Sequence, residues 1–172
     1  MNIKNKIQTK NGVIVITPAV RKHLEAHPEV NELIEEAAAK LTLTNDKYLA
    51  QSVDLDKIIG ESSCVSQTQI DLDTPCTFAL RIGRSYPSRV VIGENKIPCT
   101  EFTFIAKQLS VGCFELISAW CGPLAPSEPG DCKVDTEEWK NSFEYWSTHA
   151  LVYDPSIMNK AWIATWRTVL GL

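Results

Sequence analysis

The chain has 172 residues, 44% of them hydrophobic and 22% charged, with a formal net charge of −4. Those proportions are ordinary for a packed globular protein and exclude wholesale disorder. The acidic balance argues against broad, non-specific binding to nucleic acid, while leaving room for one basic groove. No apolar run reaches the roughly 18 residues of a membrane span, and residues 1–6 lack the apolar stretch of a signal peptide. Residues 1–172 are therefore expected to form a single cytoplasmic domain with no membrane contact.

Cys64, Cys76, Cys99, Cys113, Cys121 and Cys132 include no C-x-x-C pair. Their spacing argues against a zinc knuckle or a thioredoxin-like site, and most are expected to pack as small hydrophobes. A Cys121–Cys132 disulfide across the intervening proline-rich loop stays open.

Residues 13–16 form a β-branched run, after which Thr17 and Pro18 read as N-cap and first helical residue. That helix carries Val20, Leu24, His23 and His27, and Pro28 ends it. A second helix over 29–41 places Val30, Leu33, Ile34, Ala37 and Ala38 at helical spacing, with a solvated acidic face opposite. Strand patterns follow at 49–59, 63–70, 78–82 and 88–92. The clearest hairpin joins 100–107 to 113–121, with Phe102 and Phe104 sharing one face and Leu116, Ser118 and Trp120 another. After the loop 122–130, Asp135 with Glu138 reads as a capping box for a helix carrying Trp139, Phe143, Trp146 and Ala150. Asp154 and Pro155 start a final helix that stops at Gly171. The sum is an α+β fold: N-terminal helices, a central four- to six-stranded antiparallel sheet, and C-terminal helices.

Arg81, Arg84 and Arg89 fall within nine residues that also hold Gly83, Tyr86 and Pro87. Guanidinium groups make forked contacts with phosphate, and a tyrosine beside them can stack on a base or donate to phosphate. The rival is surface pairing of Arg81 and Arg84 with Asp71, Asp73 or Glu94. His23 and His27 have the i,i+4 spacing of metal ligands, but no H-E-x-x-H pattern accompanies them, so no metal or other cofactor is expected. His149 sits at the end of the aromatic helix, where the helix C-terminus favours its protonated form. Ser118 lies in an apolar strand, either bonded to a neighbouring carbonyl or open to substrate. It is not part of G-x-S-x-G, and neither G-x-x-x-x-G-K-[ST] nor G-x-G-x-x-G occurs.

Several short motifs occur in a fixed order: His27-Pro28, Val53-Asp54-Leu55, Arg81-Ile82-Gly83-Arg84, Ser88-Arg89, and Ile117-Ser118-Ala119-Trp120. Pro126-Ser127-Glu128-Pro129 and Phe143, Trp146, His149-Ala150-Leu151 complete the series. In this order the chain resembles bacterial and phage-associated proteins of the barnase–EndoU–colicin–RelE superfamily over residues 17–153. Residues 154–172 form a C-terminal helical extension outside the resemblance. It implies helices packed on a four- or five-stranded antiparallel sheet and, in active members, metal-independent ribonucleases, many of them toxins. It further implies that Arg81 and Arg84 hold the scissile phosphate, next to Arg89 and Tyr86, which the arginine cluster itself marks as further substrate-binding candidates. Ser118 stands where Thr is commoner and assists at the phosphate, and His149 or His23 carries the proton. RNA is then the substrate, and an antitoxin or immunity protein the partner. A non-catalytic nucleic-acid- or nucleotide-binding domain and a protein-interaction module are the alternatives.

Overall fold

In chain order the elements are β1 (Lys6–Gln8), β2 (Val13–Val15), α1 (Pro18–Leu24), α2 (Pro28–Lys40), β3 (Tyr48–Asp54), β4 (Gly60–Ser62), β5 (Cys64–Ser66), β6 (Cys76–Leu80) and β7 (Pro87–Val91). Then come β8 (Ile97–Cys99), β9 (Glu101–Ser110), β10 (Cys113–Cys121), a 3-10 turn at Pro129–Asp131, α3 (Glu137–Ser147), β11 (His149–Val152), β12 (Trp162–Ala164) and α4 (Trp166–Leu170). The computed structural model describes residues 5–24 and 28–172, excluding the side chains of His23 and Pro28. Its internal contacts divide the chain, taken as one domain from sequence, into two compact units: Met1–Ser62 with Pro98–Leu124, and Ser63–Ile97 with Ala125–Leu172.

The first unit is built on a five-stranded sheet in the order β1-β2-β10-β9-β3. β2 and β10 run parallel, with Val13 opposite Cys113, and the other neighbours are antiparallel. The parallel pair brings two backbones unusually close. A Cβ on Gly12 would lie 2.1 Å from the Gly112 carbonyl oxygen, so only glycine fits there. The Thr17 hydroxyl accepts from the Val20 N–H at 3.4 Å and starts α1. α2 buries Val30, Ile34, Ala37 and Ala38 in one core with Ile14, Phe102, Phe104, Phe114 and Leu116. The alternation of β10 breaks at a bulge between Leu116 and Ser118. Phe114, Leu116 and Ala119 are buried in consequence, and Leu116 does not share a face with Ser118 and Trp120 as strict alternation predicted.

The second unit has its own five-stranded sheet, β12-β6-β7-β11-β5, in which only β7 and β11 are parallel. Its core joins Phe78, Ala79, Val90, Leu151 and Met158 to Trp146 of α3 and Trp166 of α4. Trp166 meets Phe78 edge-on at 4.9 Å and Phe143 at 6.1 Å. α3 is capped by Thr136, whose hydroxyl accepts from the Trp139 N–H at 3.2 Å. Asp135, the residue expected to cap it, instead adopts a left-handed conformation with φ 66°.

The expected fold class is therefore overturned. In place of one central antiparallel sheet flanked by terminal helices there are two five-stranded sheets of mixed direction and a short β4–β8 ladder. Strand prevails over helix, and a hairpin precedes the N-terminal helices. The C-terminal helical extension is also corrected. Residues 154–161 are turns and irregular chain, β12 pairs with β6, and only α4 is helical, ended by Gly171 at φ 71°. Ala150, read as helical because its spacing from Trp146 matches a helical turn, lies in β11 and pairs with Val65.

All six cysteines are free thiols, Cys121 and Cys132 among them. Burial pushes the Cys121 thiol up to about 11. A neutral thiol favoured in the folded state adds stability below its unfolded pKa, roughly 8.5, and loses it as pH rises toward the folded value. The urea midpoint should fall between about pH 9 and pH 11, and fall less steeply in Cys121→Ser. Trp166→Ala should lower unfolding stability by about 3–5 kcal/mol. Trp162→Ala, at a side chain 40% exposed, should cost less than about 1.5 kcal/mol by the same urea titration.

Candidate functional site

The β6–β7 turn lies wholly in the second unit and carries most of the predicted anion site. Gly83 takes φ 81°, and the Arg81 carbonyl accepts from the Arg84 N–H at 3.0 Å, which closes the turn before Pro87 begins β7. Arg81 donates from Nε to the Ser88 hydroxyl at 3.1 Å and from a terminal nitrogen to the Glu128 carboxylate. Glu128 is 6% exposed. Its loop is tied to α3 by the Ser142 hydroxyl donating to the Ser127 carbonyl at 2.6 Å and the Trp146 indole donating to the Pro126 carbonyl at 3.2 Å. Arg84 is half exposed, its guanidinium 4.0 Å from Asp131. Tyr86 is also half exposed and packs over Gly130, where an added Cβ would come within 2.8 Å of the Tyr86 Cβ. The carboxylates expected to rival a ligand were Asp71, Asp73 and Glu94. The structure supplies Glu128 and Asp131 instead, and Asp73 pairs with Arg167.

Arg89 has a different job. It is 5% exposed and donates to the carbonyls of Trp146 at 3.3 Å, Ser147 at 2.8 Å and Thr68 at 3.1 Å. Two of these are last-turn carbonyls of α3, which have no partner within the helix. Burial pushes the guanidinium below its ordinary pKa, while the negative end of the helix favours its charge. Arg89 is thus a buried helix cap, out of reach of a substrate phosphate.

His149 stands at the same helix end, as the first residue of β11. Its Nδ1 lies 2.9 Å from the Tyr145 carbonyl and 3.0 Å from the Thr148 hydroxyl. A carbonyl can only accept, so the Tyr145 contact is a hydrogen bond only when the proton sits on Nδ1, the arrangement that leaves Nε2 as the second ring nitrogen for a ligand. The imidazole stacks flat on the Tyr145 ring, with centroids 3.9 Å apart. Leu151 pairs with Val90 in the parallel ladder, so two residues earlier His149 stands level with Ser88, the residue bonded to Arg81.

Arg81, Arg84, Tyr86, Arg89 and His149 all belong to the second unit, whereas Ser118 and His23 belong to the first. Ser118 is half buried on β10, opposite Ile105. His23 lies on α1, with its side chain outside the described residues, as is the whole of His27. Sequence reasoning missed Glu128 as the partner of Arg81 and Tyr145 as the platform for His149. The two prolines flanking the loop carboxylate were a signal for a fixed Glu128, and the i,i+4 spacing of Tyr145 and His149 was one for the stack.

Two adjoining openings, about 510 and 580 Å³, lie along α3 and share Gln69 and Glu144. Among the described residues no group of three His, Cys, Asp or Glu side chains is placed to hold a metal, and no helix is long and apolar enough to cross a membrane. Comparison with protein-family models, with curated proteins and with solved structures finds no match to this chain.

The arginines should separate by role in urea unfolding. Arg89→Met keeps the alkyl stem but removes the guanidinium from the Trp146, Ser147 and Thr68 carbonyls, of which Ser147 keeps the Ile70 N–H, and should cost about 2–4 kcal/mol. Arg84→Ala breaks only a loose surface pair and should stay within about 0.5 kcal/mol of the parent.

Proposed function

We propose that this protein is a metal-independent, toxin-type ribonuclease that cleaves RNA by transesterification, with His149 as the proton acceptor. The observation that carries this reading is the seating of His149, whose Nδ1 lies 2.9 Å from the Tyr145 carbonyl and whose ring stacks on the Tyr145 face. An imidazole fixed in this way directs the basic Nε2 at a substrate proton. The motif order resembling the barnase–EndoU–colicin–RelE superfamily supports the same chemistry.

In the proposed reaction Nε2 removes the ribose 2′-hydroxyl proton, and the oxygen attacks the adjacent phosphorus. The P–O5′ bond then breaks, leaving a 2′,3′-cyclic phosphate and a 5′-hydroxyl that takes its proton back from the imidazolium or from water. Arg81 and Arg84 hold the non-bridging oxygens. Arg84 is the more available of the two, since Asp131 holds it only at 4.0 Å. Tyr86 lies beside them for a base or a phosphate. Ser118 and His23 have no assigned step here. An antitoxin or immunity protein in the cytoplasm is the partner this reading implies.

One observation favours a second reading, a non-catalytic nucleic-acid- or nucleotide-binding domain. Arg81 and Arg84 each already face a carboxylate, so the pair of guanidiniums carries little net charge at the site.

Total RNA incubated with the purified protein in EDTA should gain 2′,3′-cyclic phosphate ends. His149→Gln should reduce the rate by about 10²-fold or more, and Arg84→Ala should raise KM more than it lowers kcat. Intact RNA at micromolar protein, with Arg84-dependent binding retained, would replace the nuclease reading by the second one.

A further inference from the structure

The opening of about 510 Å³ beside α3 is lined by Gln69, Asn141, Glu144, Tyr145 and Thr148. Two of these, Tyr145 and Thr148, also contact His149, so the opening and the proposed catalytic imidazole share these two residues although His149 does not itself line it. Among the described residues, the Gln69 and Asn141 amides and the Glu144 carboxylate make no hydrogen bond, whereas the Glu144 carbonyl accepts from Ser147. The groove thus presents two amides and an acceptor-only carboxylate that the fold does not use.

That set is wrong for phosphate, which a carboxylate repels, and too polar for an apolar side chain. It suits the edge of a nucleobase. Amides offer a donor and an acceptor together, and a carboxylate accepts from an exocyclic amine. Single-stranded RNA exposes such edges when its bases are splayed apart. We infer that this groove is a base-recognition subsite that takes a nucleobase bearing an exocyclic amino group, next to the scissile phosphate, with Glu144 as the selecting residue. This rests on the ribonuclease reading for its placement, but not for its chemistry.

The test uses the full chain and fluorescently labelled 2′-O-methyl oligomers of A, C and U, which cannot undergo transesterification, with affinity read by anisotropy. A and C should bind at least about five-fold tighter than U. Glu144→Ala should bring the three within about two-fold of one another while leaving U unchanged. Arg84→Ala should weaken all three alike. The inference is overturned if U binds as tightly as A and C, if Glu144→Ala weakens all three equally, or if none binds. Cleavage of native RNA without any base preference removes the subsite and keeps the nuclease. Base preference without cyclic-phosphate ends does the reverse.

Discussion

Arg89 is the constraint around which the second unit is arranged. Its guanidinium leaves β7, enters the interior and donates to carbonyls at the end of α3 and at Thr68. A buried cation is tolerated only where donors and charge are met, and a helix C-terminus meets both needs with its unpaired carbonyls and negative dipole end. One side chain thus fixes where α3 ends relative to β7, and so where β11 begins. Because β11 begins with His149, the position of that imidazole follows from the cap.

The same helix end serves His149 in a second way. Arg89 donates to the Trp146 carbonyl and shares the Ser147 carbonyl with the Ile70 N–H, while the Tyr145 carbonyl faces the imidazole together with the Thr148 N–H and hydroxyl. A carbonyl partner selects the tautomer, and the Tyr145 ring selects the plane. The surface arginines are treated differently. Arg81 is oriented by Ser88 and a buried Glu128, while Arg84 is left on the turn with a distant carboxylate. Three arginines close in sequence therefore have three separate roles: cap, oriented pair and exposed cation.

Much of the local structure was legible. The Thr17-Pro18 helix start, the apolar stripe of α2, the β9–β10 hairpin and the turn at Gly83 each depend on contacts within a few residues, which composition and period express directly. What failed to show were features with distant causes. The parallel pairing of β2 with β10 joins residues about a hundred positions apart, and three-residue strands such as β12 are too short for a period. The β10 bulge slips the alternation by one residue, which moved Leu116 to the face opposite Ser118. The shift from α3 to β11 was hidden because Ala150 continues the helical spacing by coincidence.

For the candidate site, the chain by itself determined which groups are available: three close guanidiniums, a tyrosine, a histidine after an aromatic helix, and a serine in an apolar strand. Side-chain chemistry is a property of the residue and survives any fold. Only the tertiary structure decided which of these groups are engaged within the protein and which remain for a ligand. It buried Arg89 as a cap, matched Arg81 with Glu128, seated His149 on Tyr145, and left the Gln69, Asn141 and Glu144 side chains open on a groove. Burial and partner choice depend on which segments meet, and that is settled by the packing of distant strands and helices.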